Sequence, residues 1–276
     1  MRDYLVPYFH SIAKSYLTMH HYIPSLYTLT QRAGEALLAV YQTEDFGIEN
    51  KADDSPVTRA DKASNDIICA GLAALTPAYP IVSEENLEIS YAERQHFEYY
   101  WCVDPLDGTK EFIKRNDDFV INIALIHRDK PVLGVVYVPV LKQFYWAIEG
   151  QGAFQTIDGI DVPLRADSFT MTQSGLSIAV SRSHFTQKIA DYVANFQYPR
   201  LTARGSALKI MLIAKGDVHL YPCISKTMEW DTAAPQIILQ EAGGQLLNYA
   251  TNTPLVYNKE NLDNPEFVAY GKVREE

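Results

Sequence analysis

The sequence predicts a layered α/β fold. Two patterns carry that expectation: apolar residues recur at helical spacing in several stretches, and short continuous apolar runs between them end in turn formers or acids. No internal repeat or low-complexity linker interrupts the 276 residues, a length that permits one large unit or two at roughly 150 residues per domain.

Along the chain, Leu5, Phe9, Ile12, Tyr16 and Met19 fall at helical spacing. Residues 1–25 therefore read as an N-terminal extension whose amphipathic helix packs on the body or on a partner, and Met19 is a candidate natural start. Peripheral association with the cytoplasmic face of the inner membrane is the sharper alternative. With Arg2 and Lys14 as its cations, the stretch favours packing or disorder.

Leu26, Leu29, Ala33, Leu37 and Val40 form the first helical stripe of the body, and a second helix follows Thr58, with Ile67, Ile68, Leu72 and Leu75 along it. Pro80-Ile81-Val82-Ser83 and Tyr99-Tyr100-Trp101-Cys102-Val103 read as strands. Residues 120–126 and 132–138 make two more about the turn Arg128-Asp129-Lys130-Pro131. A second half starts near Met171, with a strand over 177–180, a helix about 189–196 and a helix over 205–214. A last helical run through Ile237, Ile238, Leu239 and Ala242 stops at Gly243-Gly244. The expected organisation is an extension at 1–25, a first half at 26–170 and a second at 171–276.

Composition narrows the function. With 47% hydrophobic and 21% charged residues the chain is that of a soluble globular protein, and its formal charge of -10 opposes binding a nucleic-acid polymer, which draws affinity from basic contacts to phosphates. A small phosphate ester remains compatible, because metals and a few lysines invert the field locally. Cys69, Cys102 and Cys223 are too few and too separated for a disulfide framework; they suggest a reduced, cytoplasmic setting, with Cys69 and Cys102 as core thiols. The sequence holds no transmembrane segment or signal peptide pattern. His20-His21 lacks a metal-binding framework and reads as surface. Oligomeric state is not legible.

Asp104-Pro105-Leu106-Asp107-Gly108-Thr109 is the most informative segment. Two acids stand where an apolar strand stops, and hard cations such as magnesium prefer carboxylate, carbonyl and water oxygens. Asp104, Asp107 and the Leu106 carbonyl are candidate ligands. A helix opening at Thr109 would point backbone N–H groups at an anion. The bland reading is a turn, since Asp, Pro and Gly are the usual turn formers. The two-residue spacing between the acids disfavours a phosphoaspartyl enzyme, whose acids are separated by one.

Further acids stand at the ends of other elements. Glu84 and Glu85 follow a strand, Asp231 precedes the last helix, and Asp61 opens the second helix. Each has an ordinary reading: solvated loop charge for Glu84 and Glu85, an N-cap for Asp231, and the third position of a Thr58-x-x-Asp61 capping box.

The segments Ser83-Glu84-Glu85, Asp104-Pro-Leu-Asp-Gly-Thr109 and Trp230-Asp231-Thr-Ala-Ala234 together resemble the three signatures of the inositol monophosphatase superfamily of magnesium-dependent, lithium-sensitive phosphatases, in the same order, over about residues 26–267. Lys51-Ala-Asp-Asp-Ser-Pro-Val-Thr58, the longer string from Asp104 to Asn116, and Ser181-Arg-Ser-His184 are similar to those of the CysQ-type 3'(2'),5'-bisphosphate nucleotidases, which remove the 3'-phosphate of adenosine 3',5'-bisphosphate, a by-product of sulfate assimilation.

The resemblance implies an αβαβα sandwich, an α+β half joined to an α/β half with the site at their junction. It also implies roles. Glu84, Asp104 and the Leu106 carbonyl would hold one magnesium ion and Asp104, Asp107 and Asp231 a second, with Glu84 and waters available to a weaker third. Thr109 and Asp61 would orient and deprotonate the attacking water, with Glu84 assisting. Gly108, Thr109, Ser181, His184, Gly205, Lys209 and Asp231 would contact a small phosphorylated nucleotide, Lys209 taking the phosphate that is not cleaved. Without the resemblance, Lys209 reads as a solvated helix residue and His184 as a loop histidine.

Two alternatives remain open at this point. One is an inositol or sugar monophosphatase on the same scaffold; the features against it are Lys110-Glu111-Phe112 and Pro222, where inositol-specific members carry a glutamate, while residues 222–229 also depart from typical CysQ strings. The other is a non-catalytic metal or nucleotide sensor, which would not need the Thr109–Asp61 relay.

Overall fold

A computed structural model describes residues 19–51, 55–86 and 89–275. The predicted stripe of Leu5, Phe9, Ile12 and Tyr16 lies outside the described residues. The first body helix, α1 (Tyr22–Tyr41), starts a turn before Leu26, with Met19, Tyr22 and Ile23 already buried and the Tyr22 ring meeting Trp101 edge-on at 5.6 Å. Leu26, Ala33 and Leu37 are wholly buried on one face. Each such leucine contributes roughly 1.5–3 kcal/mol by leaving water. Helix α2 (Arg59–Ala73) packs beside α1.

Both helices cover one face of a seven-stranded sheet. Its strands, in spatial order, are β1 (Ile81–Ser83), β2 (Tyr99–Asp107), β3 (Val120–His127), β4 (Lys130–Val138), β5 (Gln143–Ile148), β6 (Ala153–Ile157) and β7 (Ile160–Pro163). All neighbours are antiparallel except β1 and β2. Side chains alternate between faces: Trp101, Val103, Ile121, Ile123 and Leu125 join the core under α1 and α2, whereas Tyr100, Cys102, Val120, Ala124 and Ile126 join the core on the opposite side. Two buried faces explain why β2 and β3 read as unbroken apolar runs rather than alternating ones. The predicted pair at 120–126 and 132–138 is present, joined by the shorter turn Arg128-Asp129.

Between β2 and β3 lies α3 (Thr109–Ile113), only five residues long; after β7 the second half builds its own sheet. That sheet runs β9 (Arg200–Arg204), β8 (Ser177–Ser181), β10 (Leu220–Cys223), β12 (Phe267–Tyr270), β11 (Gln245–Asn248). Helix α4 (Gln187–Val193) covers its outer face through Ile189 and Val193. Between the two sheets lie α5 (Leu208–Ala214) and α6 (Glu229–Glu241), sharing one core with both. The layers are therefore helix, sheet, helix, sheet, helix. A Cβ on Gly134 of β4 would sit 2.5 Å from Ile237 Cγ2 and 2.8 Å from the Ala234 carbonyl, so glycine sets how closely α6 approaches the first sheet.

Some boundaries differ from expectation. Helix α4 begins at Gln187, capped by the Thr186 hydroxyl, and ends at Val193. Helix α5 starts at Leu208 rather than Gly205, because Ser206 adopts a left-handed φ of 46° and the Ala207 N–H is given to Asp107. Cys102 and Cys223 are buried, whereas Cys69 is half-buried, and His20 and His21 are exposed as expected. Among the described residues, no helix is long and apolar enough to cross a membrane.

Candidate active site

Strand β2 does not stop at Val103; it continues to Asp107 through a bulge. Asp104 faces Asn122 of β3 and Asp107 faces Val120, so three steps on one strand oppose two on the other. In a regular strand, residues three apart point to opposite faces. The extra residue of the bulge cancels that inversion and re-aims a side chain, so both acids serve one site. Asp104 Oδ1 accepts from the Leu106 N–H at 3.0 Å, and Asp107 Oδ2 accepts from Asn122 Nδ2 at 3.1 Å and Ala207 N at 2.7 Å. The turn comes only at Gly108, whose φ is 98° and whose added Cβ would lie 2.9 Å from the Asp118 carbonyl. The turn reading thus holds for Gly108 and fails for the acids. Helix α3 has five residues, too short for the anion-binding terminus that the sequence suggested.

Asp231 reaches the same place from α6, where it is the third helical residue rather than the N-cap; its Oδ2 accepts from Met228 N at 2.7 Å. Asp104, Asp107 and Asp231 each offer an oxygen within 4.8 Å of the others. Burial and the neighbouring charges of Asp107 and Glu84 push Asp231 up to about 8. Burial also pushes Asp107 up to about 6, against the opposing pull of Lys209, and raises Asp104 well above the usual carboxylate range, with Glu84 adding to it. Three crowded, all-oxygen donors that ionise reluctantly by themselves form a set that suits a hard cation such as magnesium, which would relieve their repulsion.

Glu84 stands apart from this trio. It directly follows β1, its N–H donates to the Val103 carbonyl at 3.1 Å, and its carboxylate takes Lys51 Nζ at 2.7 Å; the same ammonium reaches Glu85 at 2.6 Å. Glu85 is therefore paired rather than solvated loop charge. Glu84 still borders the cavity and adds its charge to Asp61, Asp104 and Asp231.

Asp61 satisfies both of its readings at once. Its Oδ2 accepts from Thr58 N and Thr58 Oγ1, each at 2.7 Å, completing the capping box of α2, while Oδ1 accepts from Thr109 Oγ1 at 3.1 Å. The Thr109 hydroxyl also lies 3.3 Å from the Leu106 carbonyl. Burial raises the Asp61 carboxyl, partly offset by the Thr58 hydrogen bonds.

Beside the acids opens a cavity of about 230 Å³ at the junction of the two halves. Gly108, Thr109, Ser181, His184, Gly205, Lys209 and Asp231 all line it; Asp61, Asp104 and Leu106 are not among its lining. Lys209 is no solvated helix residue: it is 5% exposed, its Nζ donates to the Ser206 carbonyl at 2.6 Å and lies 5.0 Å above the Tyr221 ring, and burial lowers its pKa despite Asp107. His184 is held by its N–H to Ser181 Oγ at 3.1 Å, with Nε2 3.3 Å from Lys110 Nζ. Burial, then Lys110, shifts its pKa down, favouring the neutral ring. Gly205 leaves no room for a side chain, since a Cβ would meet Glu111 Cγ at 2.4 Å, and its N–H donates to Asp118 Oδ2 at 2.9 Å. Pro222 lies within β10 opposite Val268 and does not line the cavity, whereas its neighbour Tyr221 does.

Sequence reasoning missed Lys51, Lys110 and the Ser225-Lys226-Thr227 segment, the last two lining the cavity. Lys51 and Lys110 stood inside the quoted strings, but nothing local marked them as site residues.

An oxygen-only acid cluster beside a lysine-bearing cavity, at the junction of two sheets in an αβαβα sandwich, defines a metal-dependent phosphatase class. The chain belongs to the inositol monophosphatase family, whose sequence model matches residues 19–271. It is 41% identical over 240 residues to the 3'(2'),5'-bisphosphate nucleotidase CysQ of Salmonella typhimurium, covering 87% of this chain and 95% of that protein. It is 35% identical over 254 residues to the CysQ of Haemophilus influenzae, covering 91% and 93%. The crystal structure of CysQ from Bacteroides thetaiotaomicron, at 40% identity, matches with a TM-score of 0.75 over 90% of this chain and 95% of that one. Inositol monophosphatase from Anabaena shares the fold at 23% identity, with a TM-score of 0.71 over 93% and 92%.

Proposed function

We propose that this chain is a magnesium-dependent 3'(2'),5'-bisphosphate nucleotidase that converts adenosine 3',5'-bisphosphate to AMP and phosphate, and treats the corresponding 5'-phosphosulfate in the same way. The observation that carries this reading is the convergence of Asp104, Asp107 and Asp231 within 4.8 Å, on a chain 41% identical to a nucleotidase of that name. Asp104, Asp107, Asp231 and the Leu106 carbonyl are the assigned ligands of two ions, with Glu84 completing the first and available to a third. Magnesium there supplies charge for the phosphoryl oxygens and activation of water.

The chain's own groups do the rest. Thr109 Oγ1, already donating to Asp61 Oδ1 at 3.1 Å, accepts a proton from the attacking water as it passes its own to Asp61. The raised pKa of Asp61 makes it the better base. The water oxygen bonds to phosphorus as the bond to the 3'-oxygen breaks, and that oxygen takes a proton from solvent. Ser181, His184, Gly205 and Lys209 form the nucleotide wall. A cytoplasmic setting accords with three free thiols.

Incubating the protein with adenosine 3',5'-bisphosphate and magnesium, and separating the products, tests this. AMP with one equivalent of phosphate is expected, and chelation should stop the reaction. Release of the 5'-phosphate instead would sink the assignment.

A further inference from the structure

Ser181-Arg182-Ser183-His184, which begins on the last residue of β8, divides its side chains between two tasks. Ser181 and His184 line the cavity, as does Gly205. Arg182 and Ser183 instead reach back to the first half of the chain. Ser183 Oγ donates to Glu111 Oε1 of α3 at 2.6 Å, and the Arg182 guanidinium donates through Nε and Nη2 to Asp118 Oδ2 at 2.9 and 2.8 Å.

Asp118 gathers these ties. It stands between α3 and β3, is 7% exposed and is not among the cavity lining, and its Oδ2 also accepts the Gly205 N–H at 2.9 Å. One carboxylate oxygen therefore holds both pieces of the second half that present Ser181, His184 and Gly205. The two pieces are themselves joined, since Arg182 N donates to the Arg204 carbonyl at 3.0 Å and His184 N to Ser181 Oγ at 3.1 Å. The backbone of Asp118 is seated as closely: a Cβ on Gly108 would lie 2.9 Å from its carbonyl, and one on Gly205 2.8 Å. Gly108 directly follows Asp107, so the residue that grips the wall also packs on the segment carrying the acids. Hydrogen bonds from a guanidinium to a carboxylate are about twice as strong as neutral ones, and removing one partner leaves the other uncompensated.

We propose that Asp118 is a positioning residue: through Arg182 and Gly205 it fixes the nucleotide wall relative to the metal-binding acids, and so governs substrate affinity without lining the cavity. The inference rests on the bisphosphate nucleotidase reading for its substrate, whereas the contacts that carry it belong to the chain alone.

The test compares wild type with Asp118→Asn, which keeps the volume, with Arg182→Gln and with the double variant. Asp118→Asn should raise KM for adenosine 3',5'-bisphosphate roughly tenfold, while kcat and the magnesium concentration for half-maximal activity stay at their wild-type values. Arg182→Gln should raise KM in the same direction, and the double variant no further than Asp118→Asn alone, because residues in contact do not act additively. Arg182→Lys, which keeps the charge, should recover part of the loss. Amide hydrogen exchange gives a readout that needs no substrate: exchange at His184 and Gly205 should quicken in Asp118→Asn, with β3 and β4 unchanged. An unchanged KM, a loss confined to kcat or to the magnesium requirement, additive losses in the double variant, or unchanged exchange at His184 and Gly205 would each overturn the proposal. A wild type that leaves the bisphosphate uncleaved overturns the substrate reading instead, and the exchange measurement then decides whether Asp118 holds the wall.

Discussion

Thr109 Oγ1 donates to Asp61 Oδ1 at 3.1 Å, while the other oxygen of Asp61 is occupied by two hydrogen bonds from Thr58. One carboxylate thus fixes a helix terminus and holds the hydroxyl of Thr109, which lines the cavity. Thr109→Val keeps the volume and the cap but removes the hydroxyl. Turnover is expected to fall by roughly 10²–10⁴-fold with magnesium affinity largely retained in a calorimetric titration. Asp61→Asn should show the same kinetic loss, with about 1 kcal/mol of stability lost from the cap. Loss of metal binding in either variant would make the pair structural or ligating.

Asp104→Asn and Asp231→Asn should behave differently. Each removes a charge from the shared cluster, so metal affinity and activity should fall together, by more than the roughly 10–100-fold typical of groups behind the ligands. Titrating magnesium against activity checks this: partial recovery at high metal is expected, and an unchanged metal requirement would contradict the ligand assignment.

The acids also set a pH dependence of stability. Asp107 and Asp231 have folded pKa values raised to about 6 and about 8, above the ordinary carboxylate value of 3.8. The folded protein then holds protons that the unfolded chain releases, so their contribution is fully present below about 4 and lost as pH rises through 6 to 8. In the presence of chelator, the melting temperature should fall between pH 5.5 and 8.5; saturating magnesium, which binds the ionised acids, should flatten or reverse that slope. Identical slopes with and without metal would argue against a metal cluster here.

Gly205→Ala separates spacing from substrate contact. The added Cβ would press on Glu111 Cγ at 2.4 Å and the Asp118 carbonyl at 2.8 Å. Overpacking should cost about 1–3 kcal/mol, read by denaturant unfolding, alongside reduced activity. Unchanged stability with a raised KM would show that the glycine acts on the substrate alone.

The acid motif was legible because charged residues rarely end a buried apolar run, and Asp61 because its capping box has a fixed spacing. Their convergence was not legible: period-two alternation puts Asp104 and Asp107 on opposite faces, and only the bulge opposite Asn122 reverses that. Strand β5, buried almost throughout, and β7, exposed throughout, carry no alternation to reveal them. Lys209 had a signal that went unused, since Leu208, Ile210, Met211 and Ile213 bury nearly every side of α5. A lysine inside such a helix has no solvated face to occupy. Lys51 and Lys226 sit in loops whose placement depends on distant elements.

The most direct test of the central claim is a side-by-side measurement of phosphate release from adenosine 3',5'-bisphosphate and inositol 1-phosphate at matched magnesium. A bisphosphate nucleotidase should favour the nucleotide by at least about tenfold in kcat/KM, the factor that one well-placed charge-assisted contact to the second phosphate supplies. A clear preference for the inositol ester would contradict the account and assign the same metal cluster to a monophosphatase.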